Sequence, residues 1–159
     1  MSKIINDKSI STIISSIKKS KKSICLVGGC FDILHFGHIK FLKSAKKLAD
    51  ILIILLEDDA SVKKLKGKNR PIFALAQRQE TLESLFFVDF IIPLKKPKTG
   101  LEYYELVKKI HPNIIAVTDS DPKIKIKKEQ IRMINGKLKT IPYVKTYSSS
   151  RLAKILKLD

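Results

Sequence analysis

Two closely spaced histidines are the residues in this chain best suited to chemistry. His35 and His38 lie in the stretch GGCFDILHFGHIKFL, residues 28–42, and they share one face of a helix if the helix has already begun there. Both ring nitrogens of an imidazole can donate to phosphate oxygens, and a protonated ring adds positive charge. A helix N-terminus adds unpaired N–H groups and the positive end of a dipole. The spacing therefore predicts a site that binds phosphate groups.

The segments on either side of these histidines indicate a strand, a glycine-bearing turn and a helix. The apolar run from Ile24 to Val27 predicts a buried strand, and the amphipathic run from Ile39 to Leu48 predicts a helix. Gly28 and Gly29 stand between them, where the lack of a side chain lets the backbone approach a nucleotide closely. A strand, turn and helix in this order form the phosphate site of many α/β folds.

Apolar periodicity along the rest of the chain predicts alternating helices and strands. Five strands are expected, beginning near Ser23, Asp50, Asp89, Asn113 and Lys137. Such alternation implies an α/β fold, a Rossmann-like doubly wound sheet of about five parallel strands with helices on both faces. The chain is predicted to be one domain, residues 1–159, in which 1–22 form an N-terminal helical extension and 23–159 form the catalytic core.

Four segments are predicted to meet at one edge of this sheet. Ligands bind beyond the carboxyl ends of the strands, and that edge carries residues 28–38, 57–70, 118–121 and 148–151. The segment from Glu57 to Pro71 is polar, rich in lysine and ends at a proline, so we expect a partly ordered functional loop there. The convergence of these segments predicts a single site.

The net charge of +17 raises the question of a nucleic-acid partner. However, four of the basic residues are arginine and the others are lysines scattered along the chain, without the aromatic interleaving that favours base stacking. An excess of lysine and isoleucine is also what an AT-rich genome imposes. We therefore interpret the charge as a solvated lysine surface, with attraction for polyphosphate substrates as the alternative, and nucleic acid as an unlikely partner.

The cysteines and the hydropathy favour a cytoplasmic protein. Cys25 and Cys30 fit neither a common zinc motif nor a disulfide framework and are predicted to be reduced thiols. No apolar run approaches the roughly 20 residues needed to span a bilayer. The N-terminus has no signal-peptide pattern. No membrane partner is expected.

A paired-histidine phosphate site suits transfer at the α-phosphate of a nucleoside triphosphate. If the acceptor is itself a phosphate, its oxygen is already anionic and no general base is needed. The protein must then align two phosphates and stabilise the developing charge, for which each well-placed donor contributes about 3 kcal/mol. Mg²⁺ is the expected cofactor, held by the triphosphate rather than by protein ligands.

At this point the chain resembles a known superfamily. GGCFDILHFGH is similar to the motif of the H-x-G-H nucleotidyltransferases, which include cytidylyltransferases and several adenylyltransferases. Three further blocks resemble the adenylyltransferase domain of ADP-heptose synthase: DDASVKKLKGKNRP, residues 77–89 and YSSSRLAKIL. The resemblance covers residues 24–156 and implies the same fold and reaction class.

The resemblance also implies roles for individual residues. His35 and His38 would contact the triphosphate and stabilise the transition state, with Lys64 as a further catalytic residue. The residues implied in binding the nucleotide or its phosphates are Gly28, Gly29, Cys30, Phe31, Gly37, Lys66, Arg78, Asp119, Ser148, Ser149 and Ser150. Within that set, Arg78 would contact the nucleotide or brace the site, and the serines would hold the β- and γ-phosphates. Asp32 is a candidate for the site or for a helix cap, and relatives are commonly dimers, which implies a homodimer.

The residues before the last predicted helix distinguish between ATP and CTP as the nucleotide donor. Cytidylyltransferases for glycerol phosphate and choline phosphate carry Arg-Thr-Glu-Gly-Ile-Ser-Thr, whereas residues 144–150 here are VKTYSSS. The missing arginine and acidic residue favour ATP over CTP. We expect transfer of AMP to a small phosphorylated acceptor, with a sugar phosphate favoured, and release of pyrophosphate.

Three alternatives stay open from the sequence. The first is CTP-dependent transfer to glycerol phosphate or another alcohol phosphate. The second is ATP-dependent transfer to flavin mononucleotide or phosphopantetheine. The third is a nucleotide- or RNA-binding protein without catalysis, which would bind nucleic acid with a steep salt dependence and release no pyrophosphate.

Overall fold

The computed structural model describes residues 2–6, 8–95 and 99–158. Helices and strands alternate along them, as the periodicity predicts. In chain order the elements are α1 (Ile10–Lys19), β1 (Ile24–Gly29), α2 (Phe36–Lys46), β2 (Ile51–Leu56), α3 (Asp59–Lys66), α4 (Leu75–Glu83), β3 (Phe90–Pro93), α5 (Gly100–Ile110), β4 (Ile114–Thr118), α6 (Ile124–Arg132), β5 (Lys137–Ile141) and α7 (Ser149–Ile155).

The five strands form one parallel sheet in the order β3-β2-β1-β4-β5. This confirms the predicted α/β, Rossmann-like class. The chain runs outward from β1 to β3 and then crosses to the other side of β1 to add β4 and β5. The strand order therefore reverses between β1 and β4, and the carboxyl ends of these two strands are where such sheets open a ligand crevice.

Hydrophobic side chains cover both faces of the central strands. In β2 the alternate residues Ile51, Ile53 and Leu55 pack into one core, while Leu52, Ile54 and Leu56 pack into the other. An unbroken apolar run is what a strand buried on both faces requires. Burial within β1 raises the pKa of the Cys25 thiol to about 12, so this thiol is protonated at neutral pH.

The N-terminal helix predicted from Ser2 to Lys22 is shorter in the structure and begins at Ile10. Residues 3–5 are extended instead and lie parallel to β3: the Ile5 amide donates to the Ile91 carbonyl at 2.8 Å, and the Ile91 amide donates to the Lys3 carbonyl at 2.9 Å. The Asn6 carboxamide oxygen accepts from the Ser9 amide at 3.0 Å, which favours a turn before the helix over a helix across it. This segment therefore covers the edge of β3.

The predicted loop from Glu57 to Pro71 contains a helix, α3, so that expectation was wrong for residues 59–66. Asp58 caps the helix by accepting from the Ser61 amide at 3.0 Å and from the Ser61 hydroxyl at 2.6 Å. Val62 is fully buried and anchors the helix to the core. Lysine is a good helix former, so a lysine-rich composition did not by itself indicate a loop.

The remaining elements agree with the sequence prediction to within a few residues. Thr99 caps α5, since its hydroxyl accepts from the Glu102 amide at 3.2 Å. Helix α2 begins at Phe36, three residues earlier than expected, which places His38 within its first turn. Across the part of the chain that the structure describes, no helix is long and apolar enough to cross a membrane.

Candidate functional site

A cavity of about 240 Å³ opens at the carboxyl ends of β1 and β4. It is lined by five separate parts of the sequence: the β1–α2 turn with the start of α2, the end of α3, the end of β4, the segment 142–144 after β5, and the start of α7. The predicted site residues that line it are Gly28, Gly29, Cys30, Phe31, His35, Gly37, His38, Lys66, Ser148 and Ser149. Lys64, Arg78, Asp119 and Ser150 are not among its lining residues.

The two histidine rings stack against each other at the start of α2. Their centroids lie 3.8 Å apart with an interplanar angle of 29°. His35 is the N-cap of the helix, and its Nδ1 accepts a hydrogen bond from the Gly37 amide at 3.2 Å. An accepting Nδ1 assigns the proton of the neutral ring to Nε2. The His35 Nε2–H can therefore donate to a ligand.

Phe31 and Gly37 fix the position of this pair. The Phe31 ring lies 5.1 Å from the His38 ring, centroid to centroid, and the Phe31 backbone adopts the uncommon left-handed conformation with φ 45°. A Cβ at Gly37 would lie 3.0 Å from the Thr146 Cγ2 and 3.1 Å from the His35 Cε1. A glycine at this position therefore allows the chain before α7 and the His35 ring to close around the helix start.

Both histidines are uncharged at neutral pH. Burial is the main cause that lowers the pKa of His38 to about 3; the Lys66 charge and the nearby His35 ring, whose protonation would add a second positive charge, lower it further. Burial and Lys66 also lower the pKa of His35. A triphosphate bound beside these rings would bring negative charge close to them and favour their protonated forms. The protein thus places the basic groups His35, His38 and Lys66 together at one cavity, which suits an anionic ligand.

The helical conformation of α3 separates the two predicted lysines. Residues two positions apart on a helix point about 200° apart around its axis. Lys66 is half-buried and lines the cavity, whereas Lys64 is exposed.

Lys66 also affects the Cys30 thiol. Burial raises the pKa of this thiol, and the positive charge of Lys66 partly opposes that rise.

The structure places some of the predicted serines and of the acidic residues near β4 at the cavity and others away from it. Ser148 caps α7 by accepting from the Arg151 amide at 3.2 Å, and Ser149 is 4% exposed at the cavity wall. Asp119 is exposed, and Asp121 lines the cavity in its place. The Asp121 carboxylate accepts from the Lys127 ammonium at 2.7 Å.

Arg78 lies beneath the cavity and bonds to protein atoms. Its Nη1 donates to the Cys30 carbonyl at 2.6 Å and to the Glu57 carbonyl at 2.8 Å, and its Nε donates to the Phe73 carbonyl at 3.0 Å. Its Nη2 donates to Asp59 at 2.7 Å. The guanidinium therefore ties the carboxyl ends of β1 and β2 together, which corresponds to the bracing role among the two that the resemblance implies.

Asp32 forms a second buried connection. Its carboxylate accepts from the Arg70 Nε at 2.6 Å and from the amides of Ile72 and Phe73 at 2.8 and 3.0 Å. It neither caps α2 nor lines the cavity; it holds the segment after α3 against the β1–α2 turn. Sequence reasoning did not single out Arg70. The available signal was its residue type, because arginine is rare in this lysine-rich chain.

Comparison with known proteins gives a consistent result. Residues 26–155 match the cytidylyltransferase-like family. The bifunctional protein HldE of Campylobacter jejuni subsp. doylei is 39% identical over 150 residues, which cover 94% of this chain and 31% of that protein. The bifunctional protein HldE of Helicobacter hepaticus is 45% identical over 114 residues, which cover 72% of this chain and 22% of that protein. The chain thus spans about a third or less of the length of these curated relatives.

Two solved structures share the architecture. The lipopolysaccharide core biosynthesis protein from Thermoplasma volcanium superposes with a TM-score of 0.62 at 25% identity, covering 79% of this chain and 99% of that one. A pantoate-beta-alanine ligase from Francisella tularensis superposes with a TM-score of 0.75 at 19% identity, covering 97% of this chain and 73% of that one. The second likeness supports the fold alone.

Proposed function

The chain belongs to the cytidylyltransferase-like family, and from that premise we propose that it transfers AMP from ATP to a small phosphorylated acceptor with release of pyrophosphate. The family agrees with the nucleotidyltransferase that the H-x-G-H motif predicts. The favoured acceptor is a sugar phosphate. The observation that carries the proposal is the convergence of His35, His38, Lys66 and Ser149 on one cavity at the strand ends.

The reaction forms one P–O bond and breaks another. An anionic oxygen of the acceptor phosphate attacks the α-phosphorus of the triphosphate, and the bond from that phosphorus to the bridging oxygen of the β-phosphate breaks. Because the attacking oxygen is already ionised, no proton has to be removed. The protein contributes alignment and stabilisation of negative charge.

In this proposal the histidines, Lys66 and the serines of the cavity act on phosphate groups, and the other named residues position the nucleotide or the site. His35 and His38 donate N–H groups to the oxygens that gain charge, and Lys66 adds a full positive charge. Ser148 and Ser149 hold the β- and γ-phosphates. Gly28 and Gly29 let the nucleotide approach the backbone, and Arg78 is a positioning residue that acts through Cys30 and Glu57.

The choice of donor and acceptor has separate support. The block VKTYSSS lacks the arginine and the acidic residue of the glycerol phosphate and choline phosphate cytidylyltransferases, which favours ATP. The T. volcanium protein is named for lipopolysaccharide core biosynthesis, and the lipopolysaccharide core is made of sugars. That likeness supports a sugar phosphate as acceptor here.

Mg²⁺ belongs to the proposal as part of the substrate. Within residues 2–6, 8–95 and 99–158, no group of three or more His, Cys, Asp or Glu side chains could hold a metal ion. We therefore expect the triphosphate oxygens to carry Mg²⁺, which neutralises part of their charge. The proposal also includes a cytoplasmic location, where ATP is available, and a homodimer by analogy with the family, which light scattering would test.

Pyrophosphate release tests the proposed reaction. The assay contains Mg²⁺, either ATP or CTP, and one acceptor from a panel of hexose and heptose 1-phosphates, glycerol 3-phosphate, flavin mononucleotide and phosphopantetheine. We expect release with ATP and a sugar phosphate. His38→Ala should lower turnover at least about 100-fold, since it removes a donor to the transition state.

Two controls make that result interpretable. His111→Asn removes an exposed histidine at the left-handed end of α5, where asparagine is tolerated, and should keep full turnover. Circular dichroism should show that His38→Ala is folded. Near-normal turnover by folded His38→Ala would overturn the mechanism, and release with CTP alone would overturn the choice of donor.

A further inference from the structure

A second and larger cavity adjoins the one that holds the histidines. Its volume is about 630 Å³, within the range of small-molecule sites. It extends away from α7 toward α5 and α6, and the residues that it shares with the first cavity are Gly28, Gly29, Cys30, Lys66, Thr118, Ser120 and Asp121. A ligand in this second cavity would therefore meet a nucleotide in the first one at the carboxyl end of β1.

We propose that the second cavity holds the acceptor, and that Glu57 and Tyr103 at its wall select an acceptor rich in hydroxyl groups, with its phosphate directed toward Lys66. This inference rests on the proposed function and deepens it. The acceptor class that fits is a phosphorylated sugar or polyol. Glu57 would contact the acceptor, and Tyr103 would act as a positioning residue.

The backbone of Glu57 is held by both neighbouring parts of the site. Its amide donates to the Gly29 carbonyl at 3.1 Å, and its carbonyl accepts from the Arg78 Nη1 at 2.8 Å. Glu57 directly follows β2, so its side chain leaves the sheet at the same edge as the histidine turn. The position of the carboxylate is therefore set by the β1–β2 framework.

Tyr103 orients the Glu57 carboxylate. Its hydroxyl donates to the Glu57 Oε1, and burial together with this carboxylate raises the pKa of Tyr103, which keeps the hydroxyl protonated as a donor. An ionised carboxylate offers about four acceptor positions, and the tyrosine hydroxyl takes one. The other positions can accept from hydroxyl groups of a ligand.

Charge decides which end of the acceptor lies at which wall. A phosphate beside the Glu57 carboxylate would be repelled, whereas hydroxyl groups can donate to it. Lys123 and Lys127 also line the second cavity, and Lys127 is paired with Asp121. Lys66 lines both cavities, so it can attract the acceptor phosphate and the triphosphate at once. The arrangement thus places the nucleophilic phosphate beside the first cavity and the hydroxyl groups beside Glu57 and Tyr103.

Calorimetric titration separates this inference from the proposed function. The protein is loaded with the non-reactive analogue α,β-methylene-ATP and titrated with mannose 1-phosphate, a heptose 1-phosphate, or ethyl phosphate as the hydroxyl-poor probe. We expect at least one sugar phosphate to bind about tenfold or more tightly than ethyl phosphate. Glu57→Gln should weaken that binding about tenfold or more, because hydrogen bonds to a charged acceptor are lost.

The matched control is Glu105→Gln, which removes an exposed carboxylate from α5. It should leave sugar phosphate binding unchanged, and neither variant should change the affinity for the ATP analogue by more than about twofold. In turnover, Tyr103→Phe should raise the acceptor KM and leave the ATP KM unchanged, which a merely structural defect would not do. If Glu57→Gln does not fold, Tyr103→Phe carries the test alone.

Sugar phosphate binding that is indifferent to both Glu57→Gln and Tyr103→Phe would overturn the inference, as would equal binding of ethyl phosphate. Such a result would leave the proposed function intact if ATP-dependent pyrophosphate release persists. Binding of sugar phosphates that depends on Glu57, without pyrophosphate release from ATP by any acceptor, would instead support the second cavity and overturn the proposed reaction.

Discussion

The site has two walls. The β1–β2 wall is formed by the carboxyl ends of β1 and β2 and the segments that follow them, and the β4–α6 wall by the end of β4 and the start of α6. The charged side chains of the two walls are held differently. The first wall is supported by Asp32 and Arg70, which do not line the cavity; their side chains are both 0% exposed and lie 2.5 Å apart. In the second wall, Lys127 and Asp121 are 24% and 16% exposed and lie six residues apart in the sequence. The first pair joins segments that are 38 residues apart, so it fixes tertiary structure, whereas the second is local.

The backbone of the β1–β2 wall also has more strand pairing than that of the β4–α6 wall. Strands β1 and β2 pair over six residues, whereas β1 and β4 pair over two. Arg78 adds a buried bridge between the ends of β1 and β2. The β1–β2 wall is therefore the more rigidly held of the two, and in the proposed function it carries the groups that act on the reacting phosphates.

Removing one member of each ion pair tests this difference most strongly. Asp32→Asn should lower the free energy of unfolding by about 3–5 kcal/mol, because it removes the negative charge of a buried ion pair with the Arg70 guanidinium. Asp121→Asn should lower it by about 1 kcal/mol or less, since that pair is in part solvated. Urea unfolding monitored by circular dichroism measures both. Similar losses in the two variants would mean that the walls do not differ.

The two lysines of α3 sharpen the comparison within one helix. Lys66→Gln should lower kcat/KM for pyrophosphate release by about 100-fold, because a positive charge that faces the cavity is removed. Lys64→Gln removes the same charge from the exposed side of α3 and should stay within about twofold of the unmodified chain. Steady-state kinetics at two salt concentrations measures both. A larger effect of Lys64→Gln would indicate that the loop, not the helix, is the functional form of this segment.

The smallest expected effect is on the pH dependence of stability. The pKa of His38 is about 3 in the folded protein and near 6.5 when unfolded, so the unfolded chain binds more protons between these values. The free energy of unfolding should thus be highest above pH 6.5 and fall by about 1–2 kcal/mol by pH 5 through this group. Urea unfolding at pH 7.5, 6 and 5 measures the fall.

Two variants isolate the histidine contribution. His38→Gln should flatten the loss of stability between pH 6.5 and 5, and His111→Asn should retain it. The half-buried His38 ring would then account for the difference. Equal slopes in the His38→Gln variant and the unmodified chain would contradict the lowered pKa.

Local pattern was enough to predict much of this protein. The apolar run of β2 and the isoleucines of α1 signal burial within a few residues of sequence, and they lie in the core as predicted. The H-x-G-H spacing also acts locally, because one helix start brings His35 and His38 together. Fold class and the meeting of the two histidines at a helix start therefore followed from periodicity and motif, since both depend on neighbours along the chain.

Tertiary structure decided which of the candidate lysines and aspartates line the cavity. Lys66 lines the cavity and Lys64 does not because a helix, not a loop, sets their directions, and Asp121 takes the position expected of Asp119. The Glu57–Tyr103 contact joins residues 46 positions apart, and Arg70 is paired across 38. No local pattern records such contacts, because the direction of a side chain and its distant partner are fixed only when the sheet and its helices pack together.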